Sequence, residues 1–168
     1  MTTQKTERQE HEQFVANVIS WANERKIIRN SNAMAQIGKT LEEVAELWQA
    51  KVKNDKKEIK DAIGDIAVTL IIGNYLHWTG PSAPHDDSLN EYRFLVTQDP
   101  TSSGEYFHEG IQQILEHAIK YEYQHAYRSL VRLSKGLRLD FNECCLAAWG
   151  EIKDRKGTLG EDGVFYKE

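Results

Sequence analysis

From Ile66 to Leu76 the chain reads IAVTLIIGNYL, apolar nearly all the way round a helix and interrupted only by Thr69, Gly73, Asn74 and Tyr75. The run falls short of the roughly 20 apolar residues that span a bilayer, so other parts of the chain have to bury it. A helix apolar on every side is a central one, and the remaining elements are constrained to wrap it. The turns just before it are acidic: Glu58, Asp61 and Asp65 recur at i, i+3 and i+7 and line one face. Continued another turn, that face becomes Val68, Thr69 and Ile72. The acids therefore run into the core instead of out along a solvated stripe. An ionised Asp65 at that boundary is costly without a cation or several hydrogen bonds.

The segment before it, ending at a polar turn around Asn54 and Asp55, carries three more acids, Glu42, Glu43 and Glu46. Thr40-Leu41-Glu42-Glu43 fits a capping box, with Thr40 as N-cap and Glu43 merely structural. The alternative begins the helix near Asn32 and takes Gly38 and Thr40 into its interior. Gly38 then costs about 1 kcal/mol relative to alanine, which a long packed helix absorbs, and the longer helix is the one expected. Along it, Leu41, Val44, Ala45, Trp48 and Val52 are expected to form the apolar stripe, with Glu42, Glu43 and Glu46 lying off it. Carboxylates facing one another across two antiparallel helices repel unless cations sit between them.

Elsewhere the apolar spacing is also helical. Over residues 10–25, Phe14, Val15, Val18, Ile19 and Ala22 mark an amphipathic helix, in which Trp21 could stack on a base but reads more as a core residue. All three prolines fall at 81, 84 and 100, so residues 79–104 read as a long loop with one short helical turn at 88–95. Helices are expected over 105–116 and 123–135, the second stopped by Gly136, and over 141–153 with Asp140 as cap. The adjacent Cys144 and Cys145 make neither a disulfide framework nor a C-x-x-C pair and read as small core residues. No strand pattern of sufficient length and no internal repeat is visible. The expected fold class is all-α, a single domain over 1–168. At 40% hydrophobic and 28% charged residues the chain is an ordinary globular one, and a net charge of -5 argues against a broad nucleic-acid footprint. The polar opening MTTQKTERQEHEQ shows no secretory signal. A cytoplasmic protein without membrane attachment is expected.

The acids are the candidate chemistry. Magnesium takes hard oxygen ligands and keeps water and phosphate oxygens in its shell. Carboxylates from two helices sharing such ions suit a triphosphate, and a spare one can serve as general base on a water. The competing reading is a pair of charged helix faces. Lys39, Arg155, Lys156 and, less so, Lys153 are the candidates for phosphate oxygens, although basic residues near a helix end complement its dipole without any ligand. Other motifs fail. Gly38-Lys39-Thr40 lacks the P-loop glycine five residues earlier, where Ala33 stands. The six histidines form no H-E-x-x-H, and there is no G-x-S-x-G.

LEEVAEL followed by EIKDAIGDIAVTLI resembles the MazG-like nucleotide pyrophosphohydrolases of the all-α NTP pyrophosphatase superfamily, particularly those of bacteriophages and some bacteria. WANERKII with the following Gln36 and Lys39, and AWGEIKDRKG with a final DGVFYKE, extend the likeness over about 14–77 and 139–168, leaving 78–138 as an inserted helical segment. The resemblance implies an antiparallel helical bundle, a dimer or tetramer, and hydrolysis of nucleoside triphosphates to monophosphate and pyrophosphate with Mg2+, or Mn2+ in its place. It implies metal ligation by Glu43, Glu46 and Asp65 and substrate contacts by Gln36 and Lys39, joined by Arg155 and Lys156. The sequence departs from the family at Ala62, where many members carry the glutamate of an E-x-x-D pair. Asp61 first and Glu58 second are expected to stand in, Asp61 as a ligand and Glu58 as a further ligand or base. A narrower dUTP or dCTP pyrophosphatase, and a helical interaction module without activity, are the alternatives.

Overall fold

Asn32 decides where the first acidic helix begins. Its backbone is extended, and its side-chain oxygen accepts the Ala35 N–H at 2.9 Å, closing the orphaned first turn. The helix then runs to Lys53 without stopping at Gly38 or Thr40, and Asn54 ends it in the left-handed conformation at φ 55°. Asp55 starts the next helix by accepting the N–H groups of Lys57 and Glu58. Replacing Asn32 by alanine is expected to cost about 1 kcal/mol, a fall of roughly 2–4 °C in melting temperature for a chain of this size.

The computed structural model describes residues 2–79 and 106–168, and of residues 2–6 the backbone alone. In chain order its elements are α1 (Thr2–Glu24), α2 (Ile27–Asn30), α3 (Ala33–Lys53), α4 (Lys56–Thr79), α5 (Phe107–Ile119), α6 (Tyr123–Gly136), α7 (Phe141–Ile152), β1 (Gly157–Leu159) and β2 (Phe165–Lys167). The architecture is predominantly α-helical, as the periodicity indicates. The short turn expected at 88–95 lies outside the described residues.

The apolar run in α4 is the hub. Helices α1, α3, α6 and α7 all pack on it, and from Ile66 to Asn74 every residue is buried. Glycine sets two of these approaches. A Cβ on Gly64 would stand 2.3 Å from the Cys144 carbonyl oxygen of α7, and one on Gly73 would stand 2.5 Å from the Tyr123 ring of α6. Tyr123, Tyr127, Leu130 and Leu133 of α6 are buried in the same core as α4. The helical part of the expected insertion is thus built into the central packing. Cys144 and Cys145 are buried and free, as small core residues.

Two expectations need correction. The buried face of α3 is Gln36, Ile37, Thr40, Val44, Leu47 and Ala50, and of the expected stripe only Val44 belongs to it. Leu41, Trp48 and Val52 are exposed, Val52 by 75%. The cause is polar burial: Thr40 Oγ1 donates to the Gln36 carbonyl and pairs with Thr69 Oγ1, each at 2.9 Å, so two polar residues sit satisfied inside the interface. The second correction is at the end of the chain, where β1 and β2 form an antiparallel hairpin with Leu159 opposite Phe165 and Gly157 opposite Lys167. The strands are only three residues long, below what a period-2 pattern can show. Among the described residues no helix is long and apolar enough to cross a membrane.

Candidate functional site

The Thr40–Thr69 hydrogen bond fixes the register of α3 against α4. Both helices are antiparallel from that point, so one turn along brings Glu43 of α3 beside Asp65 of α4. One turn the other way brings Gln36 toward Ile72. The cleft between the helices follows the same order. It encloses about 350 Å³, within the range of small-molecule sites, and its third wall is the carboxy-terminal hairpin.

One end is charged. Glu42, Glu43, Glu46 and Asp65 line it together with Lys39, Arg155 and Lys167. Burial raises the Glu43 carboxyl to about 7, with repulsion from Asp65 adding to it and Lys39, 3.6 Å away, only partly offsetting it. Burial likewise raises Asp65 to about 6; the Arg155 charge opposes that rise, while Glu151, Glu46 and Asp61 reinforce it. Two carboxyls raised chiefly by burial in one cleft leave room for a further positive charge. Lys39 does not fill it. Burial works to lower its ammonium, but the hydrogen bond to Glu42 and the charges of Glu43 and Glu42 outweigh that and hold it above its ordinary value.

Arg155 is set in place through its backbone. The Arg25 guanidinium of α1 donates to the Arg155 carbonyl at 2.8 and 2.9 Å and to the Lys153 carbonyl at 3.1 Å. This ties the segment just after α7 to α1 and satisfies two backbone carbonyls that lie beyond the helix. The Arg155 side chain is left to face the acids, 3.9 Å from Glu151.

The other end is neutral. Trp21, Ile27, Val68, Ile72, Val164 and Phe165 supply its walls. Phe165 meets the Trp21 indole edge to face at 5.6 Å, and Arg25 covers one indole face at 4.7 Å. Gln36 is 4% exposed and donates to Ser31 Oγ at 3.2 Å.

Of the residues singled out from sequence, Gln36, Lys39, Glu43, Glu46, Asp65 and Arg155 come together in this cleft. Glu58, Asp61 and Lys156 are not among its lining residues. Glu58 lies in the first turn of α4, exposed, 3.6 Å from Lys53. Asp61 pairs with Lys57 at 2.9 Å on the outer side of α4, and Ala62 is buried. The expected replacement of the missing glutamate by Asp61 or Glu58 is therefore not seen as a cleft-lining side chain; Asp61 acts on Asp65 through its charge. Sequence reasoning missed Phe165, Tyr166 and Lys167. The available signal was β-branched and aromatic Val164-Phe165-Tyr166 directly after the turn residue Gly163.

Among the described residues no three His, Cys, Asp or Glu side chains are arranged to cage a metal ion by themselves. The acidic end instead fits a cation that takes one or two carboxylates and completes its shell with water and phosphate oxygens, which is how Mg2+ commonly binds. Glu43 and Asp65 are the residues that would hold it.

No family model matches the chain, and no solved structure matches it. Over 61 residues it is 36% identical to the "Uncharacterized 18.2 kDa protein in rep-hol intergenic region" of Haemophilus phage HP1 (strain HP1c1), a match that covers 36% of this chain and 37% of that protein. The chain thus spans little more than a third of the length of the curated relative it matches.

Proposed function

We propose that the protein is a magnesium-dependent nucleoside triphosphate pyrophosphohydrolase of the MazG-like kind. The observation that carries this reading is the half-buried pair Glu43 and Asp65, raised to about 7 and about 6 at one end of a nucleotide-sized cleft whose other end is apolar. Bound Mg2+ would screen the phosphate charge and acidify a water. Glu43 and Asp65 hold the cation and Glu46 adds negative charge beside them. Arg155 and Lys39 bind phosphate oxygens. Glu46, the cleft carboxylate left off the cation, would take the proton of the attacking water. That water's oxygen bonds to the α-phosphorus as the bond to the bridging oxygen breaks, releasing pyrophosphate and leaving a nucleoside monophosphate. A narrower dUTP or dCTP pyrophosphatase is the same chemistry with a stricter neutral end, and competition between nucleotides separates the two.

The test is to incubate the protein with a panel of NTPs and dNTPs plus Mg2+ and assay for pyrophosphate and monophosphate together. The expected result is both products, abolished by chelation. No product from any nucleotide, with Glu46→Ala binding Mg2+ as well as the wild type, would sink the reading. One observation favours a second reading, a helical interaction module that has lost activity: Ala62 is buried and Asp61 is paired with Lys57 outside the cleft. That reading predicts no rise in melting temperature on adding Mg2+.

A further inference from the structure

The neutral end of the cleft contains an unmet hydrogen bond. Trp21 is only 6% exposed, it lines the cleft, and its indole N–H is buried without a partner. A buried donor left unsatisfied is uncommon and carries a free-energy cost that any arriving acceptor relieves. The indole cannot serve as an open stacking platform, because Arg25 covers one face and Phe165 stands against it edge-on. What it offers is its edge. Gln36 is the second polar group here. Its amide nitrogen donates to Ser31 Oγ, and an amide still has a carbonyl oxygen and a further N–H to offer.

The register of α3 on α4 sets the distance. Asp65 and Ile72 are seven residues apart on α4, about 10 Å along the helix axis. Phosphates at the charged end and a flat ring at the neutral end are therefore compatible with one bound molecule.

We propose that the neutral end is a nucleobase subsite that grips the base by its edge, with the Trp21 indole N–H donating to an acceptor on the base, the Gln36 amide reading a neighbouring position, and Phe165 and Ile72 as the apolar walls. This rests on reading the charged end as the polyphosphate site. The hairpin is then part of the specificity pocket. Gly163 seats the turn against Asn30 and Ser31, where a Cβ would meet both backbones at 3.2 Å.

Calorimetric titration with Mg2+ present tests it, using α,β-imido nucleoside triphosphates, which resist cleavage between those phosphates, and inorganic tripolyphosphate as the probe without a base. Wild-type protein is expected to bind at least one of the nucleotides about tenfold or more tighter than tripolyphosphate. Trp21→Phe keeps a ring and removes the N–H. It is expected to weaken that nucleotide about tenfold more than it weakens tripolyphosphate. Gln36→Leu, checked by its melting curve alongside Trp21→Phe, gives the same comparison if the first variant folds poorly. Equal weakening of both probes in the folded variants overturns the subsite. Tripolyphosphate binding as tightly as every nucleotide also overturns it, while leaving the charged-end reading standing. No binding of tripolyphosphate to the wild type overturns the charged-end reading, and the subsite with it.

Discussion

Gly64→Ala is expected to destabilise the protein by on the order of 3 kcal/mol, near the upper end of what overpacking a core costs. The added methyl would lie 2.3 Å from the Cys144 carbonyl oxygen and 2.6 Å from the Ala148 Cβ. The first of these is backbone, so no side-chain rotation relieves it and α4 and α7 have to move apart. Alanine's better helix propensity returns about 1 kcal/mol and is included in the net figure. For a chain of this size the loss reads as a fall of roughly 6–12 °C in melting temperature. Gly38→Ala is the control, with the opposite sign. It lies within the same kind of helix, but a Cβ there meets nothing within 4 Å, so only the propensity gain of up to about 1 kcal/mol remains. Thermal melts of both variants check the pair. A Gly64→Ala protein melting with the wild type would mean that α4 and α7 do not cross this closely. Because the segment after α7 carries Arg155 and the hairpin, the same substitution is expected to disturb the cleft as well as the core.

The long α3 with its start near Asn32, the turn at Asn54 and Asp55, the buried α4 and the cap at Asp140 were legible because each rests on local chemistry. The orientation of α3 was not. Its apolar residues and its buried residues point about a quarter turn apart, since Thr40 is buried with its hydrogen bonds made internally and Gln36 is buried with one amide N–H on Ser31, while Trp48 lies outside against Phe107 at 5.4 Å. Hydrophobicity alone cannot anticipate that a threonine will find a threonine on the facing helix. The rotation has a consequence for the site: it turns Glu43 inward, to a side chain only 14% exposed. Asp65 needs no such partner to face inward, because the apolar sequence after it already carries its face into the core. Glu58 and Asp61 shared that face in sequence but met Lys53 and Lys57 first. Short-range ion pairs of this kind compete with any shared site and are invisible to spacing. The hairpin was hidden for a different reason. Three-residue strands gain their stability by docking on a surface that another part of the chain provides.

Glu43→Gln is expected to stabilise the metal-free protein at pH 8 by on the order of 2 kcal/mol and to make no difference near pH 4.5. The sign follows from linkage. Glu43 holds its proton up to about 7 in the folded chain, against 4.5 as the ordinary value, so between those two values the folded state binds more protons than the unfolded one. Its contribution to stability is then fully present below about 4.5 and lost as the pH rises through 7. Asp65 works in the same direction over a window from 3.8 to about 6. His11 works the other way. Burial lowers it from 6.5 to about 4, so its contribution is present above 6.5 and lost as the pH falls through 4. Comparing Glu43→Gln with the wild type at each pH cancels His11 to first order and isolates the acid. Urea or thermal melts at pH 5, 6, 7 and 8 give the difference curve, and a flat curve would show that Glu43 ionises without strain. Repeating the series with Mg2+ connects the electrostatics to the proposed function. A cation that replaces the missing positive charge is expected to raise the wild-type melting temperature most at pH 8, where Glu43 is ionised, and least at pH 5, where a proton already occupies it. Glu43→Gln should lose most of that gain. A Mg2+ effect of equal size in both proteins at every pH would place the cation somewhere other than between α3 and α4.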